Sequence, residues 1–223
     1  MAKTAVLVDG GFYRKRAQCL WGAKSPKKRA QELNDYVFMH LAKRDGGQER
    51  FLYRVFYYDC PPLKDKQVYH PFHGKTIAFG SDETYRWATE FFDQLKRMRK
   101  FALRFGKLSD YDLGYRLNPK KVNALMRGEI GVEQIVESDF ALSMKQKGVD
   151  MRLGLDISSL AYEGTVDQII LIAGDSDFVP AAKMARRKGI DFILDPMGNH
   201  VPDDLLEHID GMESMIDGDP AVC

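Results

Sequence analysis

Gln168-Ile169-Ile170-Leu171-Ile172-Ala173-Gly174-Asp175-Ser176-Asp177-Phe178 decides how the rest of the chain is read. An isoleucine-rich apolar run stops abruptly at Gly-Asp-Ser-Asp. A run without polar alternation suits a parallel strand buried on both faces. Its two carboxylates then stand at the mouth of the sheet, where open α/β folds bind ligands.

The flanking sequence repeats this strand-then-polar pattern. Thr4 to Val8 is a short apolar strand stopped by Asp9-Gly10-Gly11, and Phe12 to Trp21 reads as a helix. Ser25-Pro26 supplies an N-cap and a first-turn proline for a helix over 27–42. There Ala30, Leu33, Val37 and Leu41 recur at helical spacing. Phe51 to Tyr58 reads as a second strand and residues 63–82 as a loop. Residues 84–100 read as a helix with Trp87, Phe91, Leu95 and Met98 on one face, and Phe101 to Leu108 as a strand. Residues 109–140 carry the weakest pattern and predict an insertion over the sheet, with a short helix at 119–127. Further helices are expected at 156–162, 178–188 and 203–209, and a strand at 190–194. This alternation predicts an α/β fold with a doubly wound, mainly parallel central sheet flanked by helices. With no repeat or low-complexity linker, residues 1–223 are expected to form one domain.

A hydrophobic content of 44% with 29% charged residues is that of an ordinary globular protein. The apolar runs are too short to span a bilayer, and the N-terminus lacks a signal-peptide core. The expected setting is therefore cytoplasmic, without a membrane partner. Cys19, Cys60 and Cys223 show no Cys-x-x-Cys spacing, so they read as incidental or buried thiols. A net charge of +1 says little about partners. Basic residues do cluster at Lys24, Lys27, Lys28 and Arg29, and again between Lys96 and Lys107. Such patches can bind a phosphate backbone, although a solvated helix face is the plainer reading.

Asp9, Asp175 and Asp177 all follow apolar strands. If those strands are neighbours, the three carboxylates share one crevice. Asp156 would project over the same edge from the start of a helix, and Asp150 is either a fifth member or a strand-end polar group. Like charges this close repel and raise one another's pKa, and a hard cation relieves them. Oxygen-only ligands favour Mg2+ or Mn2+ over zinc. The chemistry suits phosphodiester hydrolysis, with the metal on a nonbridging oxygen and a metal-activated water attacking in line. The bland alternative is that each Asp caps a turn or helix.

Other residues carry paired readings. Ser176 either donates to phosphate or caps the following helix. Phe12 and Tyr13 either stack on a base or pack in the core. Arg104 and Lys107 are candidate contacts to an RNA backbone. Gly174 permits close approach of a ligand, or only a tight turn. His70 and His73, in His-Pro-Phe-His, offer too few ligands for zinc.

Val6-Leu7-Val8-Asp9-Gly10, Val55-Phe56-Tyr57-Tyr58-Asp59, Leu103-Arg104-Phe105-Gly106-Lys107-Leu108, Lys147-Gly148-Val149-Asp150 with Asp156, and Ile172-Ala173-Gly174-Asp175-Ser176-Asp177-Phe178-Val179-Pro180 together carry a resemblance. The chain resembles the NYN domain, in particular its LabA-like bacterial branch, within the PIN-like nuclease superfamily. The likeness spares roughly residues 63–95 and 110–140. It implies a metal-dependent ribonuclease with RNA as partner. Asp9, Asp156, Asp175 and Asp177 match the family's metal-binding, catalytic acids, and Asp150 lies in the motif just before. Many relatives have an asparagine shortly after the first Asp. Here Gly10-Gly11-Phe12-Tyr13 stands instead, so either Tyr13 substitutes or activity is reduced. The alternative is a catalytically weak module that binds RNA or a protein partner in regulation. Nothing in the pattern excludes a homo-oligomer. A phosphatase with a nucleophilic Asp9 would want a second Asp at the position Gly11 holds.

Overall fold

Every residue of the Gln168–Ile172 run is buried, and the run lies inside a six-stranded sheet. The computed structural model describes residues 1–43, 49–80, 82–109 and 113–216. In chain order its elements are β1 (Ala2–Asp9), α1 (Gly10–Trp21), α2 (Pro26–Ala42), β2 (Arg50–Asp59), β3 (Lys66–His70), β4 (Lys75–Phe79), α3 (Glu83–Arg97), β5 (Phe101–Phe105) and β6 (Lys107–Leu108). There follow β7 (Gly114–Leu117), α4 (Pro119–Met126), β8 (Phe140–Ser143), β9 (Gln146–Lys147), α5 (Val149–Tyr162), β10 (Gln168–Ile172), α6 (Val179–Arg187), β11 (Asp191–Asp195), α7 (Asp203–Leu206) and β12 (Gly211–Met212).

The central sheet runs β12-β11-β10-β1-β2-β5, and each neighbouring pair is parallel. The chain builds outward from β1 through β2 to β5. It then returns to the other side of β1 with β10, β11 and β12. The direction therefore switches between β1 and β10, and a crevice opens at the carboxyl ends of such a pair. Val8 lies across from Ile172, so the two strands end level.

Alternate residues of each inner strand feed opposite cores, which is why the runs carry no polar face. Leu7, Ile169 and Leu171 pack with Leu153, Ile157, Phe178 and Phe192 on the α5–α6 side. Val6, Val8, Ile170 and Ile172 pack with Leu33, Val37, Tyr57 and Phe91 on the α1–α3 side. Ser25 caps α2 by accepting from the Lys28 N–H, with Pro26 in the first turn, as the sequence predicts.

Four details differ from the sequence reading. Residues 63–82, expected as loop, contain the β3–β4 hairpin. The 101–108 strand is broken at Gly106, where a Cβ would come within 2.7 Å of the Lys147 carbonyl and Val149 Cγ2. The second piece, β6, pairs with β9 away from the central sheet. The helix expected from Asp156 begins instead at Val149, after Gly148 in the left-handed region at φ 80°. Finally, Cys60 is a buried free thiol as expected, whereas Cys19 is engaged in a disulfide.

Candidate active site

Asp9 ends β1 in extended geometry and becomes the N-cap of α1, its carboxylate accepting from the Phe12 N–H at 3.1 Å. Asp175 leaves the adjacent β10 and accepts from the Asp177 N–H at 3.1 Å, which folds the Gly-Asp-Ser-Asp turn onto itself. Asp150 lies in the first turn of α5. Desolvation pushes the Asp9 carboxyl up to about 6, and the charges of Asp150 and Asp59 add to the rise. The Phe12 and Gly11 N–H groups pull it back. The Asp150 carboxyl is also raised, first by desolvation and then by Asp175 and Asp177. Burial is the larger cause for both carboxyls, and the neighbouring acidic charges add to it. Among the described residues, no three of the Asp9, Asp150, Asp175 and Asp177 carboxylates come within 4.8 Å of one another.

Asp59 neighbours this group, although the sequence reading quoted it within the Val55–Asp59 piece without naming it a site residue. Its signal was present: an apolar strand ending in Asp, as at Asp9. Asp59 is fully buried. It accepts from Arg14 Nη2 at 3.0 Å, from Tyr57 Oη at 3.2 Å and from the Cys60 N–H at 2.7 Å. Arg14 Nε adds a second ion-pair contact at 3.0 Å. The guanidinium neutralises this buried carboxylate, so Asp59 braces the floor of the site. The same packing accounts for Gly10. A Cβ there would lie 2.5 Å from Tyr57 Cζ and 2.7 Å from Asp59 Oδ2.

Asp156 is not brought to the group. The early start of α5 places it six residues after Asp150, about 9 Å along the axis and about 120° around it. There it accepts from Tyr58 Oη at 2.8 Å and Arg104 Nε at 3.0 Å. Asp156 is thereby engaged in an ion pair whose side chains both stay partly exposed. Arg104 also lies over the Phe56 ring at 5.2 Å. Tyr13 does not fit the expectation of a substrate contact. It is fully buried, and its hydroxyl lies 3.5 Å from the Arg29 carbonyl and 3.3 Å from Glu32 Oε1, between α1 and α2. It reaches neither phosphate nor base. Gly174 makes room for protein, since a Cβ there would meet the Phe12 ring at 2.5 Å. Lys107 is exposed on β6, directly across from Lys147. Ser176 sits in the 3₁₀ turn Ser176–Phe178, and the expectation for its side chain lies outside the described residues.

A doubly wound parallel sheet with carboxylates at its switch point is consistent with a PIN-like α/β fold. A family model for the NYN domain matches residues 88–212, more than half of the chain, and the chain belongs to that family. The match includes Asp150, Asp175 and Asp177 but begins after Asp9 and Asp59. A crystal structure of a protein of unknown function from Vibrio parahaemolyticus is similar over 97% of this chain and 94% of that one. Its TM-score is 0.50 at 14% identity, a likeness of fold alone. No curated protein matches. Members of the family are generally divalent-metal nucleases. Among the described residues, no helix is long and apolar enough to cross a membrane.

Proposed function

We propose that the chain is a divalent-metal-dependent ribonuclease of the LabA-like branch, acting at the β1–β10 crevice. The observation that supports this most is that Asp9 and the Asp175 turn leave the level carboxyl ends of the neighbouring parallel strands β1 and β10, with Asp150 in the first turn of α5. Desolvation raises the Asp9 and Asp150 carboxyls, the neighbouring acidic charges add to it, and a bound cation would offset both. In this reading Asp9 and Asp175, at the ends of neighbouring strands, hold Mg2+ or Mn2+, and Asp150 and Asp177 orient its water shell. Once bound, such an ion neutralises a scissile phosphodiester and acidifies a water. Arg14 and Tyr57 keep Asp59 fixed beneath the site, and the Phe12 N–H fixes the Asp9 rotamer. Exposed Lys107 supplies positive charge for the RNA backbone.

The test is cleavage of a mixed-sequence RNA pool across a Mg2+ and Mn2+ titration, with wild type, Asp175→Asn and Asp177→Asn. Metal-dependent cleavage that falls at least a hundredfold in either variant supports the reading. Absent cleavage, or cleavage equal in all three proteins, overturns it. A second reading, an RNA- or protein-binding module of low turnover, draws on Gly10, which leaves no space for a polar side chain beside Asp9. Metal-independent RNA binding without cleavage would favour it.

A further inference from the structure

A second set of metal-ligating groups lies outside the crevice, on the two segments inserted around the central sheet. His70 ends β3, and the turn Pro71–Gly74 returns the chain into β4, closed by Gly74 at φ 60°. The turn carries His73 back beside His70, with ring centroids 4.7 Å apart. Glu137 arrives from the other insertion, in the 3₁₀ turn Glu137–Asp139 just before β8. Its Oε1 lies 2.8 Å from His73 Nε2. One ligand atom from each of His70, His73 and Glu137 falls within 4.8 Å of the others, and among the described residues no other such set forms.

The second observation is the state of His70. Its side chain is buried at 3% exposure, and its Nδ1 has no hydrogen-bond partner. Buried polar nitrogens are almost always satisfied, so an orphan beside two further ligands calls for a partner. Tyr115 and Phe140 flank the His70 ring, at 4.0 Å and 5.7 Å between centroids, and hold its plane.

We propose that His70, His73 and Glu137 bind a borderline divalent ion of the Zn2+ class, which ties the β3–β4 hairpin to the β7–β8 insertion. Two imidazoles and one carboxylate form an N2O set that suits zinc and disfavours Mg2+, which prefers all-oxygen shells. Ligand atoms on a tetrahedral zinc stand about 3.3 Å apart, from bond lengths near 2.0–2.1 Å. Reaching that spacing requires His73 and Glu137, both exposed, to adjust around the buried His70. Binding replaces the His73–Glu137 ion pair and leaves a fourth position for water. The site resists sequence reading because Glu137 is 64 residues beyond His73 and joins it only when the two insertions meet.

The experiment is Zn2+ titration by calorimetry on metal-stripped full-length protein, with Co2+ absorption as a second readout. The proteins are wild type, His73→Ala, Glu137→Gln and Asp175→Asn. His73 and Glu137 are surface residues, and melting curves without metal check that each variant folds. The expected result is one Zn2+ per chain in wild type and Asp175→Asn, with tetrahedral Co2+ bands. Affinity should fall at least tenfold in His73→Ala and in Glu137→Gln. No Zn2+ binding, or binding unaffected by both variants, overturns the proposal. So does binding lost only in Asp175→Asn, which would place the ion in the crevice. RNA cleavage takes no part in this test, so the two readings stand or fall separately.

Discussion

Asp9 has two roles that pull its ionisation in opposite directions. As the N-cap of α1 it accepts from the Phe12 N–H, which favours the carboxylate. Burial and the charges of Asp150 and Asp59 favour the acid more strongly, and the balance puts it at about 6. A carboxyl raised above its ordinary 3.8 binds protons more tightly in the folded chain than in the unfolded one. Its stabilising contribution is therefore full below pH 3.8 and lost as pH rises through 6. Asp9→Asn keeps a good cap and removes the charge. In metal-free protein it should raise stability by about 1–2 kcal/mol at pH 7.5, after discounting for partial exposure. The gain should vanish at pH 4, and urea melts at both values check it. Wild-type Mn2+ affinity should weaken as pH falls below 6, when the proton competes for Asp9, and calorimetry across pH 5 to 7.5 reads this. Gly174 sets a steric limit on the same crevice. Gly174→Ala pushes a methyl into the Phe12 ring, and overpacking of this kind costs about 1–3 kcal/mol in the same melts.

The elements show which parts of the molecule sequence alone reveals. β1, β2, β10 and β11 were legible because strands covered on both faces leave continuous apolar runs, and the Asp at the end of each marks the sheet mouth. The β3–β4 hairpin was not legible. Lys66-Gln-Val-Tyr-His and Lys75-Thr-Ile-Ala-Phe bury little, so no apolar face announces them. The site residues divide on helix phase. Reading α5 from Asp156 placed that residue at a helix start over the crevice. The left-handed Gly148 starts the helix at Val149 and gives the first turn to Asp150 instead. Asp59 was visible as a residue, but its burial under Arg14 depends on α1 folding back over β2, which no local pattern encodes. Helix phase makes a prediction. Asp156→Asn should cost about 1 kcal/mol through its half-exposed pairing with Arg104 and Tyr58, while leaving Mn2+ affinity within twofold. Asp150→Asn should do the reverse. Urea melts and Mn2+ calorimetry on the two variants separate these outcomes, and a large affinity loss in Asp156→Asn would restore Asp156 to the site.

At the scale of the molecule, the crevice's carboxylates must be held near one another against their own repulsion, and a buried polar network ties down the strands beside them. Asp195 ends β11 level with Ile172 of β10 and is fully buried. It accepts from Tyr36 Oη at 2.5 Å, Ser214 Oγ at 2.6 Å and the Met197 N–H at 2.7 Å, and lies 2.8 Å from His40 Nε2. Arg50, at the start of β2, pairs with Glu213 through contacts of 2.8 and 3.0 Å and donates to the His40 carbonyl at 2.9 Å. Together these bonds join α2, β2, β11 and the segment after β12. They fix the β10–β11 side of the sheet, from which the Asp175 turn emerges. Removing one partner from such a network leaves several buried donors without an acceptor, and each orphan carries a desolvation penalty. Asp195→Ala should therefore destabilise the protein by about 3–5 kcal/mol. Asp195→Asn, which can still accept but carries no charge, should cost less. Equal losses in urea melts of the two variants would show that charge, and not acceptor geometry, holds the network together.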